Sequence, residues 1–183
     1  MKTFVLITAL TLSFCANIFA QKVYTKNGTI SFFSKSPLEN ISADNNQVMS
    51  VLNKQNGEMQ FSVLIKSFHF KKALMEEHFN ENYMESNKFP KASFKGAVED
   101  MSKMDLSKEG TYKVKVNGEL TMHGVANKVS STGTMSVKAG IITGNSIFIL
   151  KLEDYKITIP KLVKDNISEK IEITVSCVYD QKI

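Results

Sequence analysis

From Ile171 to Tyr179 the chain alternates strictly: Ile171, Ile173, Val175, Cys177 and Tyr179 share one parity, and Glu172, Thr174, Ser176 and Asp180 share the other. Successive side chains leave a pleated strand on opposite faces, so this pattern suits a half-buried strand and no amphipathic helix. The same period recurs in Met59, Phe61, Val63 and Ile65, and in Tyr112, Val114 and Val116, whose partners Thr111, Lys113, Lys115 and Asn117 are polar. Further strands are expected at 30–33, 41–52, 92–98, 129–137 and 142–152. The turn-forming pairs Asn27-Gly28, Asn56-Gly57, Ala139-Gly140 and Gly144-Asn145 separate them. Asn117-Gly118 reads either as a turn or as a bulge in one long strand reaching His123.

One stretch breaks the pattern. Residues 71–84 are mostly helix formers, with Met75, Phe79 and Tyr83 stacked at i, i+4 and i+8 beside Leu74 and His78, while Glu76, Glu77, Asn80 and Glu81 lie largely off that stripe. The spacing predicts one amphipathic helix, ended before Pro90. About eight strands and one inserted helix point to an antiparallel barrel or sandwich.

The N-terminus has a different character. Lys2, the apolar run 4–14 and Ala20 before Gln21 match an export signal over residues 1–20, too short for a membrane span. Cys15 raises lipid anchoring as a rival, which the bulky Phe14 before it disfavours. Cleavage after Ala20 leaves one domain over residues 21–183, exported to the periplasm or the cell exterior. It then holds itself together without an internal disulfide, because only Cys177 stays with the domain. In a strand-like run without a neighbouring His or Cys, Cys177 reads as a small buried hydrophobe.

Composition narrows the function. The formal charge of +5 is spread along the chain, and all 23 basic residues are lysine. The planar fork that grips guanine or phosphate bidentately is absent, which argues against nucleic-acid binding. No nucleophile elbow, phosphate-cradling glycine loop, dinucleotide fingerprint or His-Glu-x-x-His helix occurs. His69, His78 and His123 show no ligand spacing, so neither a metal nor a cofactor is expected. Glu76 and Glu77 diverge by about 100° around a helix and read as a solvated face. His123 is a turn histidine bonded locally or a polar group at a cavity mouth.

Several segments together resemble the YceI-like family of exported bacterial proteins. They are Ser67-Phe68-His69-Phe70; Lys88-Phe89-Pro90-Lys91-Ala92-Ser93-Phe94-Lys95-Gly96; Gly118-Glu119-Leu120-Thr121-Met122-His123-Gly124-Val125; and Phe148-Ile149-Leu150-Lys151-Leu152-Glu153-Asp154-Tyr155. The resemblance implies an all-β fold, an eight-stranded antiparallel lipocalin-like barrel whose interior takes up a polyisoprenoid, a quinone or a fatty-acid-like amphiphile. Where family members often carry an Arg-containing helix, this chain has Glu77-His78-Phe79-Asn80-Glu81-Asn82-Tyr83-Met84. An obvious clamp for a diphosphate is therefore missing.

Alternation and helical spacing nominate Phe61, Val63, Phe94, Tyr112, Val114 and Val116 as inward strand positions, with Leu74, Phe79 and Tyr83 on the helix and His123 at the mouth. About 16 buried methylenes at roughly 0.8 kcal/mol each give about 13 kcal/mol; subtracting about 5 kcal/mol for association leaves about 8 kcal/mol, a micromolar affinity. The leading expectation is a non-enzymatic carrier of an apolar amphiphile or lipid, with a homodimer compatible with the sequence. Two alternatives stand beside it. One is an enzyme using His123 or His78 on a lipid-like substrate; the other is a filled barrel acting through its outer surface.

Overall fold

The computed structural model describes residues 21–183, so the export signal and Cys15 lie outside the described residues. Eight long strands form one antiparallel sheet: β1 (Lys22–Lys35), β2 (Asn40–Asn53), β3 (Glu58–Leu64), β5 (Lys91–Val98), β6 (Gly110–Met122), β7 (Val125–Lys138), β8 (Ile141–Lys151) and β9 (Lys170–Tyr179). Two short strands, β4 (His69–Phe70) and β10 (Gln181–Lys182), pair with β2 and β1 respectively. The order β1-β9-β8-β7-β6-β5-β3-β2 returns to β1 through a β1–β2 ladder from Lys22↔Asn53 to Lys35↔Asn40. The sheet is thereby closed into an eight-stranded barrel, with β7 and β8 laddered to each other only from Gly133↔Ser146 to Lys138↔Ile141.

The alternation of the C-terminal run is realised: Ile171, Cys177 and Tyr179 are buried, while Glu172 and Val178 are exposed. Two of the expected turns take other forms. Asn27-Gly28 lies inside β1, where the β1–β2 register shifts on either side of Gly28, and a Cβ there would sit 2.7 Å from the Cys177 sulfur. The pair makes a bulge because the strand must pass close to β9 at that point. Gly144-Asn145 lies within β8, opposite Met135 and Thr134 of β7. Asn117-Gly118 resolves as uninterrupted strand, and the two-residue turn comes later, at His123-Gly124, with φ of 51° and 74°. Positive φ at both central positions is what a tight hairpin with the native twist requires.

The helix is shorter than its sequence period predicts. Helix α1 (Ala73–His78) widens into a π-turn over Phe79–Tyr83, where the Met84 N–H donates to the Phe79 carbonyl at 2.9 Å. Within the same stretch the Asn80 side-chain amide donates to the Glu76 carbonyl at 2.9 Å, beside the Phe79 N–H that the same carbonyl accepts. The widening still keeps Phe79 and Tyr83 on the barrel side.

The two ends of the barrel differ. At the end holding the β2–β3 and β7–β8 turns, Leu52, Met101, Met135, Ile142 and Tyr179 form a packed plug, and the Tyr179 hydroxyl pairs with Ser50 at 2.9 Å. At the other end the helix lies across the opening, and the Phe79 ring meets Phe32, Phe68 and Phe70 at centroid distances of 5.5, 5.6 and 5.0 Å. Such aromatic pairs add about 0.5–1.5 kcal/mol each beyond the area they bury. They fasten the helix to β1 and β4.

Candidate functional site

Between plug and helix the barrel is hollow. A cavity of about 470 Å³ runs along its axis, within the range of about 300–1,000 Å³ that small-molecule sites occupy. Inward positions such as Val114, Val116, Phe148 and Val175 are only half-buried, because they face open space instead of one another.

The hollow has a local origin in small side chains. On β7 and β8 the inward positions Ser131, Gly133, Gly144 and Ser146 set back one wall, where the Ser131 and Ser146 hydroxyls share a hydrogen bond at 2.5 Å and the Ser146 hydroxyl reaches the Thr132 carbonyl at 2.9 Å. On the opposite side, Phe94 lies flat against Gly96 and Gly118: a Cβ on either glycine would fall 2.5 Å from its ring. This glycine pair keeps a large ring from projecting across the barrel, and Phe61 meets that ring edge-on at 6.0 Å. Had those positions carried Val or Leu, the interior would be filled, as eight-stranded barrels commonly are.

The lining is overwhelmingly apolar, and its polar members divide between the walls, with Ser93, Ser131, Thr134, Asn145 and Ser146, and the mouth. Ser34, Glu39, His78 and Asn166 lie there, and none of the lining side chains is a lysine. Burial pushes the Tyr83 hydroxyl above its ordinary pKa, so that phenol stays protonated as a donor at the cavity wall. Cys177 lines the far end; burial there raises its thiol from 9.0 to about 12.

Of the positions nominated from sequence, Phe61, Val63, Phe79, Tyr83, Phe94, Val114 and Val116 line this cavity, whereas Leu74, Tyr112 and His123 do not. Leu74 is 60% exposed on the outer face of α1, because Met75, His78 and Phe79 turn inward. Tyr112 points the expected way but lies at the plugged end, where its hydroxyl donates to the Asp105 carbonyl at 2.9 Å.

His123 is a strut. Its Nδ1 meets the Tyr155 carbonyl at 3.0 Å, its Nε2 meets Glu85 at 2.8 Å, and Phe89 packs against the ring with centroids 4.8 Å apart. It joins the β6–β7 turn to the segment after the helix and to the turn after β8. No carboxylate and imidazole converge inside the cavity at hydrogen-bond distance among the described residues, and no cluster of three metal-ligating side chains occurs among them. The sequence nomination missed Phe32, although it lies in the predicted strand 30–33, and Phe68 and Phe70, which lie in and beside the two-residue strand β4; the C-terminal alternation already held Ile173 and Val175.

Comparison with known proteins agrees on architecture. A polyisoprenoid binding domain from Saccharophagus degradans, implicated in plant cell wall breakdown, superposes with a TM-score of 0.76 at 14% identity, over 89% of this chain and 99% of that one. BcnA of Burkholderia cenocepacia gives 0.69 at 15% identity, over 82% and 95%. The YCEI protein of Campylobacter jejuni gives 0.57 at 15% identity over the full length of both chains. No curated protein matches in sequence. No helix among the described residues is long and apolar enough to cross a membrane. With the YceI-like domain model matching residues 19–179, the chain belongs to the YceI-like family.

Proposed function

We propose that this protein carries or sequesters, after export, an apolar amphiphile whose chain lies in the barrel and whose head group stays at the helix-side mouth. The observation that carries this reading is the hollow itself: a family barrel has spent inward positions on Ser131, Gly133, Gly144 and Ser146 and so keeps about 470 Å³ open. An apolar cavity gains from any chain that displaces water from it, at about 25 cal/mol per Å² buried. The binding wall consists of Phe61, Val63, Phe94, Val114 and Val116, closed by Phe79 and Tyr83.

The mouth limits the head group. Glu39 and His78 reach the cavity and no lysine does, so a diphosphate finds no cationic clamp inside. A neutral, hydrogen-bonding head such as a quinone or an alcohol suits Ser34, His78 and Asn166 better. Polyisoprenoid binding is in the name of one structural neighbour, and an isoprenoid chain meets the same shape requirement here. The mechanism is exclusion of water and needs no catalytic group.

Native mass spectrometry of protein purified from the cells that make it, followed by organic extraction, tests the reading. A stoichiometric apolar molecule, lost in folded Phe61→Glu or Val114→Glu, is the expected result. An apo mass that stays unchanged when isoprenoids, quinones and fatty acids are offered overturns it.

A further inference from the structure

We propose that the helix-side end of the barrel is a docking rim that seats the protein, mouth down, on an anionic phospholipid surface; this rests on the carrier reading above. Three segments build the rim: 35–38, 71–74 and 156–164. Each carries a leucine in water, Leu38 at 71%, Leu74 at 60% and Leu162 at 97% exposure. Exposed leucines are common singly, but these three stand on segments that touch one another. Lys72 Nζ lies 2.7 Å from Glu39 Oε1, and the Leu38 N–H donates to the Asp165 carbonyl at 3.3 Å. The cavity opens among these segments, since Glu39, Ile41, Met75, Val163 and Asn166 line it.

Charge selects the partner. The three segments hold Lys35, Lys71, Lys72, Lys156, Lys161 and Lys164, and the carboxylates at their ends are Glu39 and Asp165, so lysine is in clear excess on the rim. Lys72 pairs with Glu39 and Lys164 with Glu169; the other four are exposed and have no ion-pair partner among the described residues. Leucine tips set among unpaired lysines match an interface where acyl chains lie beneath anionic head groups. The lysines meet phosphate while the leucines enter the apolar layer. A chain leaving the bilayer then passes into the cavity without crossing water.

Flotation with phosphatidylcholine vesicles, with and without phosphatidylglycerol, tests this alongside vesicle-free uptake of a fluorescent polyene fatty acid. The wild type is expected to float with the anionic vesicles and less with neutral ones. Leu38→Ser with Leu162→Ser, and separately Lys71→Glu with Lys161→Glu, are expected to lower the bound fraction at least about tenfold and leave uptake intact. Ile147→Ser with Ile149→Ser, on the exposed flank of β8, is expected to float normally. Wild type that takes up the polyene but does not float, or rim variants that float as well as wild type, overturn the rim and leave the carrier reading standing. Floating without uptake supports the rim and overturns the carrier reading.

Discussion

At the scale of single residues, what keeps this barrel open is the absence of side chains at a few inward positions. A Cβ at Gly118 would lie 2.4 Å from the Lys95 carbonyl oxygen as well as 2.5 Å from the Phe94 ring, and backbone at that distance does not yield cheaply. Gly118→Ala is therefore expected to destabilise the fold by about 1–3 kcal/mol, measured by urea denaturation. Cys177 offers a second check. It is 1% exposed and its thiol is raised to about 12, so a thiol reagent at pH 8 should label it only after denaturant is added. Because the folded state favours the protonated thiol, this contribution to stability is complete below about pH 9 and is lost as pH climbs towards 12. Tyr179, raised by its own burial, adds to the same loss. The urea midpoint should fall between pH 8 and pH 10.5, and fall less in Cys177→Ala. A midpoint indifferent to that pH range would contradict the burial argument.

At the scale of elements, the β7–β8 seam is laddered along only part of its length. Its ladder runs only from Gly133↔Ser146 to Lys138↔Ile141, whereas β6 and β7 pair along their whole length. Past Ser146 the seam is held by the Ser131–Ser146 hydroxyl contact and by the Asn127 side chain donating to the Asp154 carbonyl. Hydrogen exchange should show alternate amides fast in Val125–Thr132 and Ile147–Lys151, against uniform protection in the laddered half. Uniform protection of both halves would mean a continuous ladder.

The elements also show what a sequence carries. Alternation identified the strands and the inward side of Phe61, Val63, Phe94, Val114 and Val116, because a strand's period depends on nothing beyond itself; it assigned no inward side to 129–137 or 142–152. The helix and its inner stripe Met75, Phe79 and Tyr83 were legible, whereas Leu74, at the edge of that stripe, turns outward. His123 carried no local sign of its partners, since Glu85 and Tyr155 are 38 and 32 residues away. Phe32, Phe68 and Phe70 meet Phe79 only through the folded chain.

For the molecule as a whole, family membership gives the barrel and the small side chains give the space inside it. Whether a ligand uses that space depends on the space itself, and Gly144 provides a way to remove it without disturbing the fold. Gly144 faces the cavity from β8, and a Cβ added there meets no atom outside its chain neighbours closer than Tyr179 at 3.8 Å, so Gly144→Leu has room to fold while its side chain occupies the interior. Equilibrium titration of wild type and Gly144→Leu with a fluorescent polyene fatty acid, with the far-UV spectrum and urea midpoint of each recorded alongside, is the most direct test. Saturable binding of about micromolar affinity is expected in the wild type, and at least about tenfold weaker binding in a variant as stable as the parent. Equal binding by both proteins would place the ligand outside the barrel and contradict the carrier reading at its centre.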